Sequence, residues 1–194
     1  VVENSMSGLG GRAQILLRTG EGNIHGFDAQ SQLGGTYQGP LLVPSFSGIG
    51  VVGVPGVVAG LVQMHAAYGS KPLAEVLKPA IRYASDGYPI LPGEVSRHLR
   101  VEKGIREDPT LAAIYLNESG LIHSPGDLFK QTDLANTLQA IASGGADEFY
   151  RGETGRKMAQ DLAARDAFVS QSDIASYKAY SATVVSTEYR GYTV

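Results

Sequence analysis

The first third of the chain reads as short β-prone runs punctuated by glycine. Ala13 to Arg18 and Asn23 to Asp28 are separated by the turn-like spacer Thr19 to Gly22, which predicts a hairpin. From Gly56 the period of the apolar positions changes. Val57, Leu61, Met64 and Tyr68 fall on one helical face, with Gly69 placed to end the helix. A second helix is predicted to open near Pro72 and to carry Leu73, Val76, Leu77, Ala80, Ile81 and Ala84 before Gly87, with a kink at Pro79. Beyond Pro89 the pattern is polar and helical in shorter pieces: Glu94 to Lys103, then Pro109 to Leu116, then a turn at Ser124 to Asp127. Thr132 can cap a helix with Leu134, Leu138 and Ile141 inside, ended by Gly144 and Gly145, and Gly155 to Arg165 is the next. Ser170 and Asp173 have the spacing of a capping box opening a short helix through Tyr177. The β-branched run Thr183 to Tyr189 predicts a strand, a turn at Arg190 and Gly191, and the start of another strand.

Composition narrows the classes of function. Of 194 residues none is Cys, so disulfide frameworks, zinc fingers, iron–sulfur sites and thiol nucleophiles are excluded. Sixteen basic against 19 acidic residues, a net charge of −3 and no basic run leave no electrostatic footprint for DNA or RNA. The longest apolar stretch, Ile49 to Val62, is broken by Gly50, Gly53, Pro55, Gly56 and Gly60, short of the ~20 residues that span a bilayer. The chain opens on Val1 without an initiator Met and closes inside a β-like run at Val194, which predicts a single-domain piece of a longer protein and leaves the compartment, cytoplasmic or periplasmic and secreted, open.

No self-sufficient active site stands out. Gly48, Gly50 and Gly53 match the spacing of a dinucleotide fingerprint, but Pro44 to Ser47 is a poor strand before them and Val54 to Gly56 delays the helix after them. His25, His65, His98 and His123 are scattered, without metal-ligand spacing. Ser176 and Lys178 point in different directions on a helix, and Asn117 to Ser119 is a glycosylation sequon of a kind common by chance.

The order of several segments is more telling. Ser7-Gly-Leu-Gly-Gly11, Gly53-Val-Pro-Gly-Val-Val-Ala-Gly60, Pro125-Gly-Asp-Leu-Phe129 with Gln131-Thr-Asp-Leu-Ala135, Phe149-Tyr-Arg-Gly152 and Tyr189-Arg-Gly-Tyr192 together resemble the γ-glutamyltranspeptidase family across the whole chain. The resemblance implies an α+β chain, largely helical in its C-terminal two-thirds, forming part of a four-layer αββα N-terminal-nucleophile hydrolase fold. It places residues 1–194 within the large subunit of a precursor that cuts itself in two. The nucleophile it implies is the Thr that opens the small subunit, beyond Val194, so this chain carries no catalytic residue and is inert alone. The implied partners are that small subunit and a small γ-glutamyl or other acyl amide; neither coenzyme nor metal is implied.

One large-subunit residue of the family touches substrate: the Arg of an Asp-x-Arg-Glu segment, which clamps a carboxylate. Here the matching positions are Asp28, Gln30 and Ser31. Gln30 offers neutral hydrogen bonds where the family's guanidinium offers a fixed two-pronged charge, so the departure shifts specificity away from γ-glutamyl compounds. Arg12 stands where many relatives have glycine and is a candidate source of the displaced charge, with Asp28 a weaker site candidate that is equally at home as a strand-end carboxylate. A catalytically dead homologue with a binding or scaffold role is the alternative.

Overall fold

A computed structural model describes residues 1–39 and 48–194; Pro44 to Ser47, the segment before the glycine fingerprint, lies outside the described residues. In chain order the elements are β1 (Ala13–Arg18), β2 (Ile24–Ala29), α1 (Val57–Tyr68), α2 (Leu73–Ser85), β3 (Tyr88–Pro89), α3 (Pro92–Arg100), α4 (Glu102–Glu107) and α5 (Pro109–Tyr115). They continue with β4 (Leu128–Phe129), α6 (Thr132–Arg151), α7 (Glu153–Ala164), α8 (Gln171–Ser176), β5 (Tyr180–Ala182), β6 (Glu188–Tyr189) and β7 (Tyr192–Thr193). Helix and sheet are thus mixed, as the α+β reading expects. The chain forms two compact units: residues 1–8 with 71–145, and residues 9–70 with 146–194.

In the second of these units β1 and β2 form the expected antiparallel hairpin, from Ala13 opposite Ala29 to Arg18 opposite Ile24. Strand β5 adds to the other edge of β2 through Gly26, Phe27 and Asp28, giving the sheet order β1-β2-β5. Helix α1 lies against β2, and this approach requires glycine: a Cβ on Gly60 would stand 2.5 Å from the Cβ of Ala29, and one on Gly56 would overlap the Ala29 carbonyl. Three N–H groups at the start of α1 are satisfied from outside the helix. Gly56 and Val57 donate their N–H groups to the Gly11 carbonyl at 2.9 and 3.2 Å, and Ala59 donates to the Tyr150 hydroxyl at 3.2 Å. That hydroxyl in turn donates to the Pro55 carbonyl at 2.7 Å, and burial pushes the Tyr150 phenol far up. A phosphate brought to this helix end would therefore find those donors occupied, which is the structural reason against dinucleotide binding here.

The first-described unit has its own core of Tyr88, Ile90, Val95, Ile105, Ile122 and Phe129. The helix expected over Glu94 to Lys103 is corrected to two. Pro92, pre-set for a first helical position, starts α3 earlier, and Val101 (φ −115°, ψ 14°) separates it from α4. Asp108 caps α5 by accepting from the N–H groups of Thr110 and Leu111. Helix α2 continues through Pro79 as one element. The Ser124 to Asp127 turn is present, with Gly126 at φ 94° and Asp127 N–H bonded to the Ser124 carbonyl at 3.0 Å.

Three details near the C-terminus test the sequence reading further. Gly145 (φ 62°, ψ −149°) does interrupt α6, but helical structure resumes and runs to Arg151. The capping box of α8 is complete: the Asp173 carboxylate accepts from the Ser170 N–H at 2.8 Å, and the Ser170 hydroxyl accepts from the Asp173 N–H at 3.2 Å. The strand expected from Thr183 to Tyr189 is corrected to β6 alone, because β-branched residues extend only where a partner pairs with them, and Val185 stands 88% exposed. The turn between β6 and β7 has Arg190 at φ 52° and Gly191 at φ 81°, the conformation a two-residue hairpin loop demands.

A carboxylate and an imidazole, Glu94 and His98, are buried in the first unit. Burial alone would raise the Glu94 carboxyl, but hydrogen bonds from Ser5 and Arg97 outweigh it and hold Glu94 below its ordinary 4.5. Burial lowers His98 below its ordinary 6.5, against the pull of Glu94 and with a further push from His123. Both groups therefore bind protons more readily in the unfolded chain, so stability falls as pH falls. The His98 contribution is complete above 6.5 and fades below it, and the Glu94 contribution fades only below 4.5. In the complete protein, amide exchange in α3, corrected for intrinsic rate, should speed up in those two successive steps between pH 7 and 4; protection that rises on acidification contradicts this assignment.

Candidate functional site

The end of β2 is held from both flanks. Asp28 sits between Gln14 of β1 and Tyr180 of β5, and its carboxylate accepts the Gln30 N–H at 3.0 Å, a local turn that ends the strand. The Gln30 carbonyl accepts the Tyr177 hydroxyl at 2.7 Å, and the Tyr177 ring stacks on Tyr150 with centroids 5.2 Å apart. Burial, and then the negative charge of Asp28, raise the Tyr177 phenol, which stays protonated and keeps donating. Past Gln30 the chain pairs with the run into α1: Gln32 and Val54 exchange both backbone hydrogen bonds, at 3.2 and 2.8 Å. Gly53 allows this, since a Cβ there would stand 2.8 Å from the Gln32 carbonyl oxygen.

These contacts leave a cavity of about 480 Å³ whose wall includes Arg12, Ser31, Gln32, Leu33, Tyr37 and Val52. Of the residues singled out from sequence, Arg12 and Ser31 are brought together on this wall. Gln30 is half-buried beside it and is not among the described lining residues. Asp28 lines a different cavity, of about 500 Å³, with Gln14 and Thr183. Its bond to Gln30 N–H is the strand-end role open to it from the sequence. Sequence reasoning did not find Leu33, Tyr37 or Tyr177, and no local pattern marks them, because their place depends on how residues 30–37 fold back.

The chemistry of the cavity is that of a mostly apolar hollow to which, among the described residues, Arg12 brings a permanent cation and Ser31 and Tyr37 bring hydroxyls. Arg12 can offer a carboxylate two parallel N–H donors, and Ser31 can add a third contact. Among the described residues no three His, Cys, Asp or Glu side chains gather into a metal-binding group, and no helix is long and apolar enough to cross a membrane. The Asn117 carboxamide of the sequon is engaged in its own turn, accepting from the N–H groups of Ser119 and Leu121.

Comparison with known proteins matches residues 1–194 to the model of the family described as gamma-glutamyltranspeptidase. A glutathione hydrolase proenzyme of Pseudomonas sp. (strain A14) is 34% identical over 151 residues, covering 77% of this chain and 26% of that protein. An acylase ACY 1 proenzyme of Pseudomonas sp. (strain SE83) is 36% identical over 148 residues, covering 76% and 26% respectively. The crystal structure of Helicobacter pylori gamma-glutamyltranspeptidase superposes on all of this chain with a TM-score of 0.94 at 28% identity, using 58% of that chain. The chain thus spans about a quarter of the length of these curated relatives.

Proposed function

This chain belongs to the gamma-glutamyltranspeptidase family, and from that membership we propose that residues 1–194 are part of the large subunit of a self-processing amide hydrolase or acyltransferase. In this reading the two units contribute to a four-layer αββα N-terminal-nucleophile hydrolase completed by a small subunit. The Thr that opens the small subunit attacks the amide carbonyl of the substrate, its own α-amine taking the hydroxyl proton. The amine leaving group departs with that proton, an acyl-threonine ester remains, and water or a second amine releases the acyl group. Residues of this chain bind and orient the acyl group. The full-length match of residues 1–194 is the observation that carries this reading.

Specificity is the point at which this chain departs from the γ-glutamyl pattern. Gln30 at the family's carboxylate-binding position cannot supply a charge, whereas Arg12 lines a cavity with Ser31, next to the turn that Asp28 and Gln30 make. The substrate is accordingly an acyl amide whose carboxylate meets Arg12, with Gln30 adding neutral hydrogen bonds, and an acylase proenzyme among the relatives is in keeping with an acyl group other than γ-glutamyl. Expression of the complete reading frame with N-terminal sequencing of each product tests the proposal. The expected result is two chains, the smaller beginning with Thr; a single uncut product without that Thr overturns the catalytic reading in favour of a binding role.

A further inference from the structure

The stretch from Gln30 to Tyr37, which supplies Ser31, Gln32, Leu33 and Tyr37 to the Arg12 cavity, is laid along residues 168–177 of the same unit. Three hydrogen bonds hold it there. The Tyr177 hydroxyl donates to the Gln30 carbonyl at 2.7 Å, the Asp173 carboxylate accepts the Gly35 N–H, and the Thr36 hydroxyl donates to the Phe168 carbonyl at 2.6 Å. Tyr37 packs edge-on against Phe168, with ring centroids 5.0 Å apart, and Gly34 runs so close to the Phe168 carbonyl that a Cβ would overlap it.

Of the three tethering side chains Tyr177 is the buried one, 3% exposed, at the end of the helix that the Ser170 and Asp173 box opens. Its ring lies on Tyr150, whose hydroxyl bonds to Pro55 and Ala59. The two phenols thus anchor the chain on both sides of the pairing of Gln32 with Val54, at Gln30 before it and at Pro55 after it. The Gln30 carbonyl shares a rigid peptide plane with the Ser31 nitrogen and Cα, so the bond from Tyr177 also places Ser31. From this buried tether one residue from the cavity wall, we infer that Tyr177 is a positioning residue for acyl binding, fixing the backbone that presents the Ser31 hydroxyl to the substrate carboxylate held by Arg12. This role rests on the catalytic reading proposed for the complete protein.

Steady-state kinetics of the complete, processed enzyme test it, with glutaryl p-nitroanilide as the carboxylate-bearing probe and pentanoyl p-nitroanilide as its uncharged counterpart. Tyr177→Phe removes the hydroxyl and keeps the ring. It should raise KM for the glutaryl probe about three- to tenfold, the loss of roughly one hydrogen bond, while kcat and the pentanoyl KM change by less than about twofold. A purely structural tyrosine would instead lower the melting temperature and the active fraction and leave both KM values alone. In a Ser31→Ala background the same substitution should have no further effect on the glutaryl KM. A glutaryl KM unchanged by Tyr177→Phe, or KM values shifted equally for the two probes, overturns the role. Should Tyr177→Phe fail to fold, Ser31→Ala alone decides: a raised glutaryl KM upholds the role, and an unchanged one leaves Tyr177 nothing to position. No turnover of either probe by the unsubstituted enzyme removes the catalytic reading and this role with it, whereas normal turnover with unchanged KM in the variants removes this role alone.

Discussion

Gly56→Ala is expected to destabilise the complete protein by about 3 kcal/mol, the upper part of the range for overpacking a rigid site. Gly56 adopts φ −105° and ψ −26°, a conformation alanine also accepts, so the effect has nothing to do with backbone freedom. It comes from what surrounds the new methyl group: the Ala29 carbonyl of the central strand and the Tyr177 hydroxyl. Neither can move freely. The carbonyl belongs to the strand end that Asp28 and Gln30 turn, and the hydroxyl is anchored to the Gln30 carbonyl. Moving α1 outward would strain the two bonds it makes to the Gly11 carbonyl. Gly93→Ala in α3 is the matched control, since a Cβ there meets nothing within 4 Å, and it should leave stability unchanged or raise it by up to ~1 kcal/mol. Denaturant melts of both variants decide the matter; equal stability for the two would show that α1 does not pack on β2 as described.

Arg12→Ala in the complete, processed enzyme should lower kcat/KM about 10- to 100-fold for a carboxylate-bearing acyl amide, mostly through KM. That range follows from ~1.5–3 kcal/mol for a hydrogen bond to a charged group. The lower end is the better guide, because Arg12 is exposed in this chain and solvent screens it. Arg12→Lys should recover part of the loss, keeping the charge without the two-pronged geometry. An uncharged acyl amide of the same size should be indifferent to both substitutions. Gln30→Arg is the complementary experiment and should improve γ-glutamyl amides relative to other acyl amides. An unchanged KM for Arg12→Ala with every carboxylate-bearing substrate would remove Arg12 from the site.

The sequence was most informative where structure is decided within a few residues. The hairpin of β1 and β2, the Ser170–Asp173 capping box and the turn at Pro125 and Gly126 were all legible because each depends on neighbours close in the chain. The strand expected at Thr183 to Tyr189 failed for the opposite reason: its intrinsic preference was right, but pairing requires a partner that propensity cannot supply. The candidate site divides in the same way. The role proposed for Gln30 rests on its position in the sequence alone, whereas the placement of Arg12 and Ser31 on one cavity wall required knowing that Gly53 and Gly56 let the run into α1 close on β2. The buried contact of His98 Nε2 with the Asn4 amide oxygen was beyond any local pattern, since it joins residues 94 apart.

The bond from Tyr177 to the Gln30 carbonyl joins residues 147 apart in sequence. A ribosome adding ~5–20 residues per second takes on the order of ten seconds to cover that distance. During that interval β1 and β2 exist without β5 on their open edge and without the tyrosine that holds Gln30 in place. The nascent hairpin is therefore a candidate client for chaperones during synthesis, and slowing translation before residue 177 would lengthen its exposure.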